Sequence, residues 1–308
     1  MTTSPDTAAR SAATPGTGEG RTTFVWGTLA PALFVLLWAT GFIGAKAGLP
    51  YAEPFTFVAV RYAVVVALML PLSLVAGAPW PGSWREVGHI AVSGLLLHAV
   101  YIAGVFAAIA AGLPAGITAL IVGLQPVLTA TVVGPVLGEH VGMRQWLGLL
   151  LGLVGVTLVL ADKLDFAGAT LAGVALATAA LFGITFGTIY QKRFCAGADL
   201  RTGAVIQFAA AGLACLAVAV PTETMRIVWS VEFIAALAWL AIVLSIGTVS
   251  LLYLLLRRGA AAKTASLFYL VPPVTALFAW LLFGETLGPT SLVGMVVAAI
   301  GVALVQKG

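Results

Sequence analysis

From residue 25 to residue 306 the sequence is a succession of apolar runs separated by short polar breaks. Crossing the hydrocarbon core of a bilayer takes a helix of roughly 20 apolar residues. Runs of that kind fall at 25–48, 54–76, 87–111, 115–137, 145–161, 168–190, 203–220, 232–256, 261–283 and 288–306. Lipid offers no partner to a bare N–H or C=O, so a spanning segment must be a helix or a strand of a closed barrel. The runs are much longer than barrel strands and do not alternate polar with apolar, which selects helices. The expected fold is therefore an all-α integral membrane protein with ten transmembrane helices. Composition agrees: charged residues make up only 8% of the chain, against about 25% in soluble domains. Glycine is abundant, with 35 copies, as in helices that pack closely through small residues.

Residues 1–22 are rich in Ser, Thr, Pro, Ala and Gly and read as a disordered tail. They are not read as a signal peptide, because the first apolar run is long enough to span and more runs follow it. With the N-terminus inside, the inner segments hold eleven Lys and Arg residues. The outer segments hold three, Lys46, Lys163 and Arg226, while Arg61 lies within a span. That asymmetry follows the positive-inside rule and puts both termini in the cytoplasm. The same scatter of basic residues argues against nucleic acid as a partner, despite a net charge of +4. Two cysteines, Cys195 in a polar loop and Cys215 in an apolar run, make no disulfide framework, and three histidines with no Cys/His cluster make no metal site. No cofactor is implied.

One phrase occurs twice. "LQPVLTATVVGPVLGE" runs from Leu124 to Glu139 and "LVPPVTALFAWLLFGE" from Leu270 to Glu285. Sliding residues 115–160 onto 261–306 without a gap gives fifteen identities, among them Pro126/Pro272, Gly138/Gly284, Glu139/Glu285, Gly148/Gly294 and Gly155/Gly301. The same offset of 146 carries Lys46 onto Lys192, Glu86 onto Glu232 and Arg61 onto Gln207. The chain thus divides into residues 23–161 and 162–308, each a unit of five spans. Five is odd, so the second unit enters the membrane from the opposite side. Inverted repeats recur in secondary transporters. Two homologous halves that exchange conformations convert an outward-open state into an inward-open one of similar energy.

Ten spans in two inverted halves, with "LLWATGFIGAK" in the first, "FTFVAVRYAVV" in the second and "AGITALIVGLQPVLTATVVGPVLGE" in the fourth, resemble the EamA-type branch of the drug/metabolite transporter superfamily. "AAKTASLFYLVPPVTALFAWLLFGETLG" repeats the last motif in the second half. The resemblance covers nearly everything after the tail. It implies a metabolite exporter of the bacterial inner membrane, with amino-acid exporters a prominent group. It also implies a basket-like bundle whose central cavity is lined mainly by spans other than five and ten.

Several residues stand out as candidates for the work. Arg61 lies seven residues inside the second span, roughly 10 Å below the outer surface. Charge at that depth faces the protein interior or a water cavity. A gating or structural role is expected of it, with a substrate carboxylate as the other reading. Pro126 and Pro272 sit mid-span, as hinges, as breaks that expose backbone carbonyls to a substrate, or as static kinks. The expected substrate-binding set is Trp38, His98, Tyr101, Gln125, Gln207, Tyr253 and Tyr269. His98 and Tyr101 are three apart, on one helical face, and interhelical hydrogen bonding is the alternative for them. Phe106, Phe186, Tyr190 and Trp280 extend the aromatic set, which favours a bulky or aromatic amino acid as substrate. Trp80 and Trp84 read as interface anchors. Gly148-x-x-x-Gly152 and Gly294-x-x-x-Ala298 read as close contacts between spans five and ten, and Ser83-x-x-Glu86 as a capping box. Glu139 and Glu285 read as end caps.

No acidic residue is placed mid-membrane by the sequence, and His98 is the only buried proton carrier available. A facilitator is therefore expected, with proton exchange through His98 as the alternative. A membrane enzyme would need an acid/base or metal constellation near the interface, and a nucleotide-driven pump a GxxxxGK[ST] stretch; neither is present. A non-transporting scaffold remains as a rival, but it would have no need of an inverted repeat. The expected partners are a small-molecule substrate and the bilayer, with the chain a monomer and a homodimer as the alternative.

Overall fold

The computed structural model describes residues 28–161, 170–283 and 286–308. The proposed tail at 1–22 lies outside the described residues, as does Glu285. Among the described residues ten helices are long and apolar enough to span. They are span 1 (Ala30–Tyr51), span 2 (Pro54–Val75), span 3 (Trp84–Ala110), span 4 (Gly116–Leu137) and span 5 (Met143–Leu160), then span 6 (Leu171–Phe194), span 7 (Leu200–Thr222), span 8 (Val231–Arg258), span 9 (Ala261–Phe278) and span 10 (Pro289–Lys307). Their limits differ from the sequence-based ones by five residues or fewer, because bilayer thickness sets the length of an apolar run.

The helix ends follow from local chemistry. Ser83 accepts from Glu86 N at 3.2 Å, and the Glu86 carboxylate reaches back to Gly82 N at 3.0 Å. The expected capping box is thus present, extended by one residue on its return bond. Thr170, Asp199 and Ser230 cap spans 6, 7 and 8 with their side chains. Gly138, with φ +70°, ends span 4 in the left-handed conformation that glycine adopts without strain.

Packing follows the repeat. Spans 5 and 10 lie against each other along their length, as do spans 2 and 7. Each of these pairs joins a span to its own counterpart in the other half. Span 1 packs on span 8 as span 6 packs on span 3, and span 9 on span 1 as span 4 on span 6. A pseudo-twofold arrangement of two five-helix units produces this set of pairings. The glycines of spans 5 and 10 bring the backbones together: a Cβ on Gly148 would lie 2.6 Å from Gly301 O, and one on Gly294 2.6 Å from Val159 N. The expected scaffold role of these glycines holds.

Irregular backbone repeats as well. Spans 3 and 8 each contain a π-helical stretch, Leu95–Ala103 and Trp239–Thr248, at corresponding positions. Spans 4 and 9 are each interrupted: span 4 breaks between Val122 and Gln125, and span 9 tightens into a 3₁₀ turn at Leu267–Leu270. Pro126 and Pro272 therefore lie at breaks, one of the roles expected of them, and do not kink a continuous helix. Each sits in the first turn of a new helical segment, where a proline's missing N–H costs nothing.

Candidate functional site

Spans 1 and 10 start and end, respectively, on the same side of the bundle, here the terminal side; the opposite side is the distal side. A cavity of about 680 Å³ runs from the distal ends of the spans, at Pro50, Ile109 and Leu160, to about mid-depth, at Trp38, Val249 and Pro272. The volume suits a small organic ligand. Its wall is apolar and aromatic, with Tyr101, Phe106, Leu240 and Leu244 prominent. The π stretches of spans 3 and 8 supply several of these residues. Such stretches frequently mark functional sites, because they turn side chains out of the regular register.

Arg61 is the charged group on this wall. It is 5% exposed. Its Nε donates to Ser245 Oγ at 2.9 Å, and its Cζ lies 5.8 Å from the Tyr62 ring centroid. Of the seven residues expected to bind substrate, Trp38 and Tyr101 border the cavity. The Trp38 ring packs between Phe34 and Phe268, with centroids 5.2 and 5.1 Å away.

The other five lie away from this wall. Three of them join a hydrogen-bonded chain in the terminal half. Tyr253 Oη donates to Gln207 Oε1 at 2.8 Å, and Gln207 Nε2 donates to Gln191 Oε1 at 2.8 Å. Ser93 Oγ donates to the same Gln191 oxygen at 2.7 Å. His98 Nε2 is 3.2 Å from Tyr253 Oη, and its ring stacks on Phe208 at 4.3 Å. Gln125 donates to Thr129 within its own helix at 3.1 Å. Tyr269 is 1% exposed, its ring lying against Gly152. Of the hinge candidates, Pro272 borders the cavity and Pro126 is buried. Phe186 and Trp280 face outward, 42% and 48% exposed, and Tyr190 Oη pairs with His89 Nδ1 at 2.7 Å.

The terminal end is tied shut by charge. Glu139, at the end of span 4, accepts from Ala261 N through both carboxylate oxygens, at 3.1 and 2.8 Å. It thereby caps span 9, which has no side-chain cap of its own. Lys192 Nζ, near the end of span 6, pairs with Glu139 at 2.6 Å and donates to Gly259 O at 2.5 Å. Arg257 donates to Ala198 O. Alongside, the Arg201 guanidinium, hydrogen-bonded to Asp199, holds that carboxyl below its usual range. Cys195 begins the loop after span 6, as expected, but is only 2% exposed there, and burial pushes its thiol up to about 11.

Sequence reasoning missed Ser245, Lys192 and the aliphatic wall. The signal for Ser245 was a hydroxyl in the middle of the apolar run "WLAIVLSIGT". Lys192 carried one in its repeat match to Lys46, and Glu139 was read as an end cap without the neighbour it caps. Among the described residues no group of three or more His, Cys, Asp or Glu side chains is placed to hold a metal.

A duplicated five-helix bundle around a half-depth cavity defines a multi-pass membrane transporter. Residues 25–161 and 171–306 each match the EamA-like transporter family. The chain belongs to that family, within the drug/metabolite transporter superfamily, and is not an enzyme. It is 27% identical over 295 residues to the uncharacterized transporter YvbV of Bacillus subtilis, spanning 89% of this chain and 90% of that one. It is 26% identical over 279 residues to the uncharacterized inner membrane transporter YedA of Escherichia coli K12, spanning 90% of each. A solved crystal structure, 20% identical, shares the fold with a TM-score of 0.75, covering 91% of this chain and 96% of its own.

Proposed function

We propose that this transporter exports amino acids, those with bulky or aromatic side chains foremost, across the bacterial inner membrane by alternating access. The observation that carries the reading is the half-depth cavity: it reaches the distal ends of the spans, while the terminal half below it is filled by hydrogen bonds and the Lys192–Glu139 pair. That is the geometry of one end state of alternating access. With the positive-inside assignment, the terminal side is cytoplasmic and this state faces outward. The aromatic wall supports an amphiphilic substrate with a bulky side chain.

The transporter works as a facilitator. The described acidic residues lie at span ends or in loops, and His98, the histidine of the buried network, does not border the cavity. The decisive experiment uses purified protein in liposomes loaded with one labelled amino acid at a time, with and without a pH gradient. Efflux of phenylalanine or another bulky amino acid, insensitive to the gradient, is the expected result. Absence of efflux across the whole panel would overturn the amino-acid reading, and gradient-driven efflux would replace the facilitator with a proton exchanger.

A further inference from the structure

Arg61 is a cation held deep in a low-dielectric wall, with no counter-charge among the described residues. It is 5% exposed and lies seven residues into span 2, roughly 10 Å from the distal surface. Among the described residues no carboxylate pairs with it. The two acidic residues that sit at the distal start of span 2 are already engaged. Glu223 accepts from Phe55 N at 2.8 Å and from Thr56 N at 2.7 Å, and Glu53 accepts from Thr224 N at 2.7 Å and from Met225 N at 3.1 Å. A buried, unpaired guanidinium is costly, and a partner that supplies negative charge offsets that cost.

The guanidinium is also oriented. Its one hydrogen bond among the described residues goes from Nε to Ser245, and the Tyr62 ring lies 5.8 Å from Cζ. An arginine carries five N–H donors in a planar fork. Holding Nε fixes that plane and leaves the Nη edge, the one that matches a carboxylate with two parallel bonds. Around it the wall is Trp38, Tyr101, Phe106, Leu240, Leu244 and Pro272. No acidic side chain borders the cavity among the described residues, so no carboxylate there is placed to pair with an ammonium.

We propose that Arg61 anchors a carboxylate, and that the cavity takes organic monoanions with an apolar body, recognised by their acid end and not by their amine. The proposal rests on the transport reading above and narrows it: the α-amino group of an amino acid is carried but not read. An arginine that trades an empty fork for an anion would also serve the gating role expected of it from sequence.

The test is equilibrium binding of labelled 3-phenylpropionate to the full-length protein in nanodiscs. Unlabelled phenylalanine and phenethylamine, which lacks the carboxylate, serve as competitors. Phenylalanine is expected to compete and phenethylamine not to. Arg61→Gln should weaken binding by at least about tenfold, and Arg61→Lys should restore part of it. Competition by phenethylamine as strong as by phenylalanine, no binding of 3-phenylpropionate, or unchanged binding by a monodisperse Arg61→Gln protein would each overturn the proposal. If Arg61→Gln fails to fold, the competition on the unaltered protein decides alone. Binding of 3-phenylpropionate without efflux of any amino acid would sink the amino-acid reading and leave the anchor standing. Efflux of phenylalanine together with competition by phenethylamine would do the reverse.

Discussion

The terminal half of the bundle is filled with hydrogen bonds, whereas the distal half is hollow. The two halves are built from corresponding segments of an inverted repeat, so their backbones pose the same packing problem. Their side chains answer it differently. Gln191, Gln207 and His98 belong to the terminal network. Their counterparts at the offset of 146 are Ala45, Arg61 and Leu244, and all three border the cavity. Polar groups that pair with one another close the terminal half. A small residue, an unpaired cation and an aliphatic cannot close the distal half in the same way. On the alternating-access proposal, inverted symmetry supplies two access routes, and the departures from it favour the state in which the terminal route is shut.

The most severe way to break that contrast is to make the terminal half resemble the distal one. Gln207→Arg places an unpaired charge where Tyr253 and Gln191 need an acceptor and a donor. The cost to the terminal-closed state is at least about 3 kcal/mol. The native Cys195 reports it, in a Cys215→Ala background: 2% exposed in the closed state, it should react with a membrane-impermeant maleimide from the terminal side at least about tenfold faster. Unchanged labelling in a folded protein would mean that the network does not hold this half shut.

Glu139→Gln comes next. The amide can still accept one bond from Ala261 N, but it loses the ion pair with Lys192, whose side-chain exposure is 21% against 17% for Glu139. Partial burial and charge-assisted bonding put the loss at about 2 kcal/mol. Cys195 labelling should rise by less than in Gln207→Arg, and 3-phenylpropionate binding from the distal side should weaken as the closed state is depopulated. Labelling that stays at the unaltered level would make the pair a surface ornament and not part of the closure.

Much of this contrast was readable before any coordinates, and part of it was not. Bilayer thickness turns an apolar run into a span of known length, so the ten spans were legible, and the small residues of spans 5 and 10 marked the contact in which Gly148 meets Gly301 and Gly294 meets Val159. The cavity wall was not, because Leu240, Leu244 and Val105 have the same character as side chains that face lipid, such as Leu281 or Val296. Polar residues were picked for substrate contact, yet His98, Gln207 and Tyr253 satisfy one another, since buried polar groups find partners wherever a neighbouring helix offers one. His98 and Tyr101 divide between the two roles open to them, Tyr101 bordering the cavity and His98 bonding to another helix: both lie in a π-helical stretch, whose wider turn changes the three-residue register. The bond from Arg61 to Ser245 links positions 184 apart in sequence, and only the packing of span 2 beside span 8 brings them together.

A gentler variant sharpens the comparison. Tyr253→Phe keeps the ring and removes the hydroxyl, leaving Gln207 Oε1 and His98 Nε2 without that partner. The expected cost is about 1–2 kcal/mol, with a rise in Cys195 labelling smaller than for Glu139→Gln. A Tyr253→Phe effect as large as that of Gln207→Arg would show that closure rests on this one hydroxyl and not on the chain of bonds.

His98→Gln is expected to change least, and for that reason separates a structural network from a proton path. Glutamine can donate to or accept from Tyr253 Oη across the 3.2 Å now spanned by His98 Nε2, so hydrogen bonding is retained while titration is lost. The stacking on Phe208 at 4.3 Å is given up, which costs about 1 kcal/mol of packing. A histidine that only fills and pairs predicts efflux within about twofold of the unaltered protein at every pH from 5.5 to 8. A histidine that carries the exchanged proton predicts that any pH dependence of efflux disappears with it. Loss of that dependence in His98→Gln, with the pH dependence of efflux retained in Tyr253→Phe, would move the protein from facilitator to exchanger, and would make the filled terminal half a conduit for protons as well as a seal.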